Sequence, residues 1–212
     1  MKLFILLIVF PLLTHAYSGK INHVRGDVTI TSQGKTTKAQ TDSILNSGDV
    51  LKTAAKAVVL LTMEDAVVLK LNEKSELAIP EKETHVVNLN SGSIFSKVEK
   101  NTKRQFKINT PSVVIGVRGT QFFTSYGQSE SKKSDVWMCV NEGSVEVTST
   151  AGKKQVIVNQ GEGVVIPAGK DVTAPKKYAW TKKLNWNLDP NAGEIVNDVQ
   201  IKYDNLLKED YD

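Results

Sequence analysis

The strongest constraint on this chain is its rhythm: short apolar, β-branched runs recur between turn signals from about residue 21 to residue 166. Val, Ile and Phe suit a pleated surface buried on at least one side. Strands at such regular spacing point to an all-β fold: a jelly roll or twisted two-sheet β-sandwich, or else a β-solenoid. Residues 21–24 and 26–31 read as two strands, with Val28 and Ile30 on one face and Thr29 and Thr31 on the other. Ser32-Gln33-Gly34-Lys35 and Asn46-Ser47-Gly48-Asp49 read as turns. Residues 57–63 and 66–72 form an expected hairpin closed through Glu64 and Asp65. Further strands are expected near 77–79, 85–89, 93–98, 106–108, 113–125, 135–140, 144–148, 155–158 and 163–166, with a polar loop over 126–134. Gly26-Asp27-Val28-Thr29-Ile30-Thr31 is echoed by Gly143-Ser144-Val145-Glu146-Val147-Thr148. Each is followed by a glycine–acid pair, Gly48-Asp49 or Gly161-Glu162, at unequal separations. Two similar strand–turn–strand units would leave this trace; a regular repeat array would not.

The ends depart from the pattern. Residues 1–16 read as a secretory signal peptide, with Lys2 as the positive start, 3–13 as the apolar stretch and Thr14-His15-Ala16 as the cleavage region. The apolar run is short for a membrane span. No later run approaches the ~18 apolar residues of a transmembrane helix, so a periplasmic or secreted protein is expected after cleavage near Ala16. Residues 17–175 read as the β domain and 176–212 as a basic, aromatic linker followed by a C-terminal amphipathic helix. Asp189-Pro190 suits a helix start. Ile195, Val199, Tyr203 and Leu206 then fall on one face of a helix over about 191–208. That stripe is expected to dock on the β domain. The alternative is recruitment of a partner, with Trp180 and Trp186 as the candidate contacts.

The composition excludes several chemistries. Lys and Arg number 27 against 23 Asp and Glu, a formal charge of +4 that falls to +3 when Lys2 leaves with the leader. The Lys-Lys pairs at 132–133, 153–154, 176–177 and 182–183 are scattered, which is not a nucleic-acid footprint. The one cysteine, Cys139, lies in Val136-Trp137-Met138-Cys139-Val140 and reads as a buried small hydrophobe. His15 belongs to the leader; His23 and His85 lie far apart with no ligand-like spacing. Gly161-Glu162-Gly163-Val164-Val165-Ile166-Pro167-Ala168-Gly169 is similar to a cupin turn, but Lys170-Asp171-Val172-Thr173 follows where a cupin places a metal-binding histidine. No catalytic residue, metal or cofactor is therefore expected. A paired-carboxylate glycan hydrolase is the second reading, although no acidic pair stands out.

One polar group demands an account. Asn109-Thr110-Pro111-Ser112-Val113-Val114-Ile115-Gly116-Val117-Arg118-Gly119-Thr120-Gln121-Phe122-Phe123 places an arginine in an apolar run. A guanidinium keeps its charge, so a strand carrying it inward must supply a carboxylate or carbonyl partner. Arg118 is thus either an internal clamp, which the flanking glycines favour, or an outward contact for an anionic ligand or partner. Thr110-Pro111 marks the start of the strand. The stretch resembles the signature of the FecR-type periplasmic domain family, a Thr-Pro, an apolar run and Val-Arg-Gly-Thr-x-Phe. Gly48-Asp49-Val50-Leu51-Lys52-Thr53, Asn88-Leu89-Asn90-Ser91-Gly92-Ser93-Ile94-Phe95 and Gly143-Ser144-Val145-Glu146-Val147 are similar to further family segments. The resemblance spans about residues 20–170, with Thr110, Pro111, Val117, Arg118, Gly119, Thr120 and Phe122 as its signature. It implies envelope signalling linked to outer-membrane transport and sigma-factor control. Members that act as transmembrane sigma-factor regulators carry a cytoplasmic segment and a membrane helix ahead of the domain. The expectation here is a stand-alone exported relative that binds another envelope protein or a cell-wall glycan without catalysis.

N-terminal sequencing of protein from the cell envelope is expected to begin at Tyr17. An intact Met1 would contradict the leader reading.

Overall fold

The computed structural model describes residues 17–81, 85–102, 104–127 and 135–196. The chain opens with strands β1 (Tyr17–Arg25), β2 (Val28–Ser32), β3 (Lys35–Lys38), β4 (Ile44–Asn46) and β5 (Val50–Thr53). It continues with β6 (Val58–Met63), β7 (Val68–Leu71), β8 (Glu76–Ala78) and the long β9 (Val86–Val98). The second half holds β10 (Phe106–Asn109), β11 (Val113–Val117), β12 (Thr120–Tyr126), β13 (Val136–Glu142) and β14 (Ser144–Ser149). β15 (Gln155–Asn159), β16 (Glu162–Ile166) and the short β17 (Lys176–Lys177) close it. The expectation of an all-β chain is met.

Two ladders share β9. One runs β4–β1–β6–β7–β9–β12–β13–β16–β17. The other runs β3–β2–β5–β8–β9–β10–β11–β14–β15. Every pairing is antiparallel except β9 with β10. Residues 85–89 and 93–98, read from sequence as two strands, are one strand that passes from one ladder to the other. Residues 113–125, read as one strand, are two strands in different ladders. The hairpin of β6 and β7 forms as expected, through a 3-10 turn at Glu64–Ala66. Alternation places Val28 and Ile30 in the core and leaves Thr29 and Thr31 half-buried. Side chains from both ladders meet in one large cluster, among them Ile21, Leu51, Leu69, Leu77, Ile115, Phe122 and Val147.

The outer face of the first ladder is buried as well. The pairing register lines up Leu60, Lys70, Phe95, Phe123, Cys139 and Gly163 in a row across six strands. The tail crosses this row. Tyr178 and Leu184 are buried there, and Trp186 stands edge-on to Phe95 at 5.1 Å between ring centroids. A Cβ on Gly163 would lie 3.0 Å from the Tyr178 ring, so glycine makes room for that ring. Burying such side chains contributes about 1.5–3 kcal/mol each.

The tail therefore docks, but its described part is not the helix expected from about 191. Asp189 does cap a turn: its carboxylate accepts the Asn191 N–H (2.9 Å) and its carbonyl the Ala192 N–H (3.1 Å). The chain then runs on without helical structure through residue 196. The Asn187 side chain donates to the carbonyls of Asp189 and Gly193, and Asn185 to that of Glu194. Such side-chain bonds offer the backbone an alternative to a helix. Val199, Tyr203 and Leu206 lie outside the described residues.

Lys70 is the unusual member of the row. Its side chain is fully buried, and its ammonium donates to the carbonyls of Asn185 (2.8 Å) and Asn187 (2.9 Å). It also lies 4.2 Å from the centroid of the Phe95 ring. Burial lowers its pKa from 10.5 to about 7. The unfolded chain then binds more protons than the folded one between about pH 7 and 10.5, so stability rises with pH across that window. The slope is at most about 1.4 kcal/mol per pH unit. Denaturant titrations from pH 7 to 9 are expected to show this rise in the wild type and not in Lys70→Met. Parallel slopes in the two proteins would remove the charge burial.

Candidate functional site

The family-signature segment sits where β11 leaves one ladder and β12 joins the other. Thr110 opens it. Its hydroxyl accepts the N–H groups of Ser112 (3.3 Å) and Val113 (3.1 Å), and its own N–H donates to the Val113 carbonyl (2.9 Å). The carbonyl of Pro111 accepts the Thr150 hydroxyl (3.2 Å), which ties this turn to the end of β14. Val117 and Phe122 are core residues at 1% and 0% exposure. Thr110, Pro111, Val117 and Phe122 thus serve the fold.

Arg118 does something else. The chain turns at Arg118-Gly119, with Gly119 at φ +69°, and the arginine is left exposed on the corner. It makes no ion pair or hydrogen bond among the described residues. The favoured expectation of a buried internal clamp is corrected. The apolar run continues through Arg118 in sequence, but the strand ends at Val117 and the arginine is exposed at the break.

Glycine at 119 has two causes. Its φ is one that side chains with a Cβ rarely adopt, and a Cβ there would approach the Lys100 Cα to 3.0 Å. Gly143, at φ +82°, turns β13 into β14 directly against it: a Cβ on Gly143 would come within 2.6 Å of the Gly119 carbonyl oxygen. The two inter-ladder corners are packed together. Thr120, 3% exposed, lies under them.

Beside this corner is a shallow groove of about 280 Å³, lined by Lys97, Glu99, Lys100, Asn101, Gly119, Thr120 and Glu142 among others. Lys97 and Glu99 pair at 3.3 Å on the surface. The charged lining is balanced, Lys97 and Lys100 against Glu99 and Glu142, and Arg118 follows in sequence just before Gly119 of the lining. The groove residues escape a reading by motif because they come from the end of β9, the loop after it, and the β11–β12 and β13–β14 corners.

The other candidate contacts are placed differently. Trp186 is half-buried and tied into the strap: its indole N–H donates to the Thr181 carbonyl (2.8 Å), and its own carbonyl accepts from the Gln121 side chain (3.0 Å). Trp180 belongs to the 3-10 turn Ala179–Lys183, with its side chain outside the described residues. Cys139 is fully buried, and burial raises its thiol pKa well above the ordinary value, so it is neutral at physiological pH. Among the described residues, no three of His, Cys, Asp and Glu gather as metal ligands, and no helix is long and apolar enough to cross a membrane.

Residues 49–146, from the start of β5 into β14, match the family model described as FecR protein. These residues, a little under half of the chain, form a FecR domain. The matched span is narrower than the 20–170 of the sequence resemblance; it includes the signature corner and the Lys70 row from Leu60 to Cys139. The tail strap lies outside it. Two crystal structures of a candidate anti-sigma factor from Parabacteroides distasonis ATCC 8503, at 1.65 and 2.50 Å resolution, share the fold with a TM-score of 0.51 each. They are 16% and 17% identical over 60% of this chain, which spans 59% of theirs. No curated protein matches the sequence.

Arg118→Met is expected to shift stability by no more than about 0.5 kcal/mol, as for an exposed side chain. Gly119→Val is expected to cost about 1–3 kcal/mol, because a β-branched residue is forced into a left-handed conformation against Lys100. Chemical denaturation midpoints check both. A large loss in Arg118→Met would restore the clamp.

Proposed function

We propose that the chain is an exported, non-catalytic binding module of the bacterial cell envelope that presents the FecR signature corner to another protein. One observation carries this reading: the charged residue of the signature, Arg118, is exposed on an ordered corner next to Gly119, which lines the groove. Neighbouring signature residues are spent on the fold, and Arg118 is free to meet an acidic surface. The FecR match favours a component of a sigma-factor signalling pathway over a cell-wall glycan binder, because family members of that kind act through protein contacts. The fold likeness to the Parabacteroides protein fits the same class. The two ladders are read as a twisted sandwich, supported by the single cluster that draws side chains from both.

A photo-crosslinking residue at position 118 in cells tests the proposal. The expected result is a discrete protein adduct that excess unlabelled wild-type chain competes away and Arg118→Glu chain does not. The same probe at Lys38, on the exposed β3, is expected to give no such adduct. Purified protein incubated with cell-wall material is expected to release no new reducing ends. Release of reducing ends, or equal adducts at 38 and 118, would overturn the reading.

A further inference from the structure

We propose that two copies of this chain pair through β15, extending the second ladder across a two-fold axis at Ile157. β15 is the outermost strand of that ladder and, among the described residues, pairs with β14 alone. The Ser149 N–H donates to the Lys154 carbonyl at 2.9 Å, one step beyond the last register pair, Thr148 opposite Gln155. In an antiparallel ladder the inward-bonded pairs alternate. Residues 154, 156 and 158 therefore bond β14, while Gln155, Ile157 and Asn159 turn their backbone groups to the open edge. The Asn159 N–H is taken by the Glu162 carboxylate (2.9 Å). Among the described residues, what is left is a free donor and acceptor on Gln155 and on Ile157, and a free acceptor on Asn159.

The occupant follows from the strand's own sequence, Gln155-Val156-Ile157-Val158-Asn159. Antiparallel pairing about Ile157 sets Gln155 opposite Asn159 of the second copy, Val156 opposite Val158, and Ile157 opposite itself. All three outward-pointing positions then face one another, with about four backbone hydrogen bonds formed. Ile157, 50% exposed, would cover its symmetry mate on the outer face. The other edges are blunted in the usual ways. β3 exposes Lys35 and Lys38, β17 is a Lys-Lys pair, and β4 has only three residues. β15 alone is a five-residue, uncharged, β-branched edge.

Sedimentation of the mature chain over about 5–500 μM reads the association. A monomer–dimer equilibrium is expected, weakened at least about tenfold by Ile157→Lys with the melting temperature unchanged. Independently, Ile157→Cys is expected to form a disulfide-linked dimer on mild oxidation, because directly opposed residues of this kind lie about 5.5 Å apart at Cα. Ile44→Cys, on the β4 edge, is expected to form none. A monomer throughout the range, a dimer indifferent to Ile157→Lys, or equal cross-linking at positions 44 and 157 would overturn the proposal.

Discussion

The bend in β9 is the constraint from which the rest follows. The strand serves one ladder up to Ser91 and the other from Gly92, where φ is +92° and a Cβ would collide with Ser75. A buried polar network holds the bend. The Ser93 N–H donates to the Ser75 hydroxyl (2.9 Å), the Asn72 amide to the Ser93 hydroxyl (2.7 Å), and the Thr53 hydroxyl to the Asn72 carbonyl (2.6 Å). The Thr53 hydroxyl in turn accepts the Ser75 N–H (2.9 Å). Strands β5, β7, β8 and β9 are thereby tied at one point. Buried networks of this kind are costly when incomplete and rigid when satisfied. With β9 fixed, β7 and β12 must flank it in one ladder and β8 and β10 in the other.

The same geometry creates a second buried face, and that face fixes the tail. Lys70 follows its neighbours into the row beside Phe95, where among the described residues no carboxylate is bonded to it. Its two hydrogen-bond acceptors both belong to the tail, at Asn185 and Asn187. If the tail leaves, Lys70 returns to water. If the tail stays, its carbonyls must reach the ammonium in one register. A buried charge is a poor source of stability but a strict determinant of alignment. The apolar contacts of Tyr178, Leu184 and Trp186 hold the strap, and Lys70 sets where it lies.

The strands were largely legible because alternation and turn chemistry are local. Val28 and Ile30 faced the core as their spacing required, and Glu64 and Asp65 closed a hairpin. The errors fall where one strand changes ladders. Val113 to Ser125 reads as one run because apolar residues continue through the corner, and only Gly119 betrays the turn. Residues 85 to 98 read as two strands because Asn90, Ser91 and Gly92 look like a loop, whereas Ser75 receives that bend. The Trp186 ring and the Lys70 ammonium were not legible at all. A lysine between apolar residues in a strand looks like an outward-facing polar position, and its cover comes from more than a hundred residues away.

These features divide the surface. The inner faces of both ladders are core, and the outer face of the first is closed by the strap. Lysines or brevity blunt three of the ladder ends. The signature corner and the β15 edge remain, and they differ in kind. The corner offers charge on a turn where Gly119 and Gly143 pack so closely that a Cβ on Gly143 would meet the Gly119 carbonyl. The edge offers unspent backbone hydrogen bonds and one isoleucine, a surface that suits another strand more than a charged loop. Both ladders reach the corner, through β12 and β13 on one side and β11 and β14 on the other. β15 is bonded to β14, so a strand added at that edge extends a ladder whose next strands turn through the signature corner.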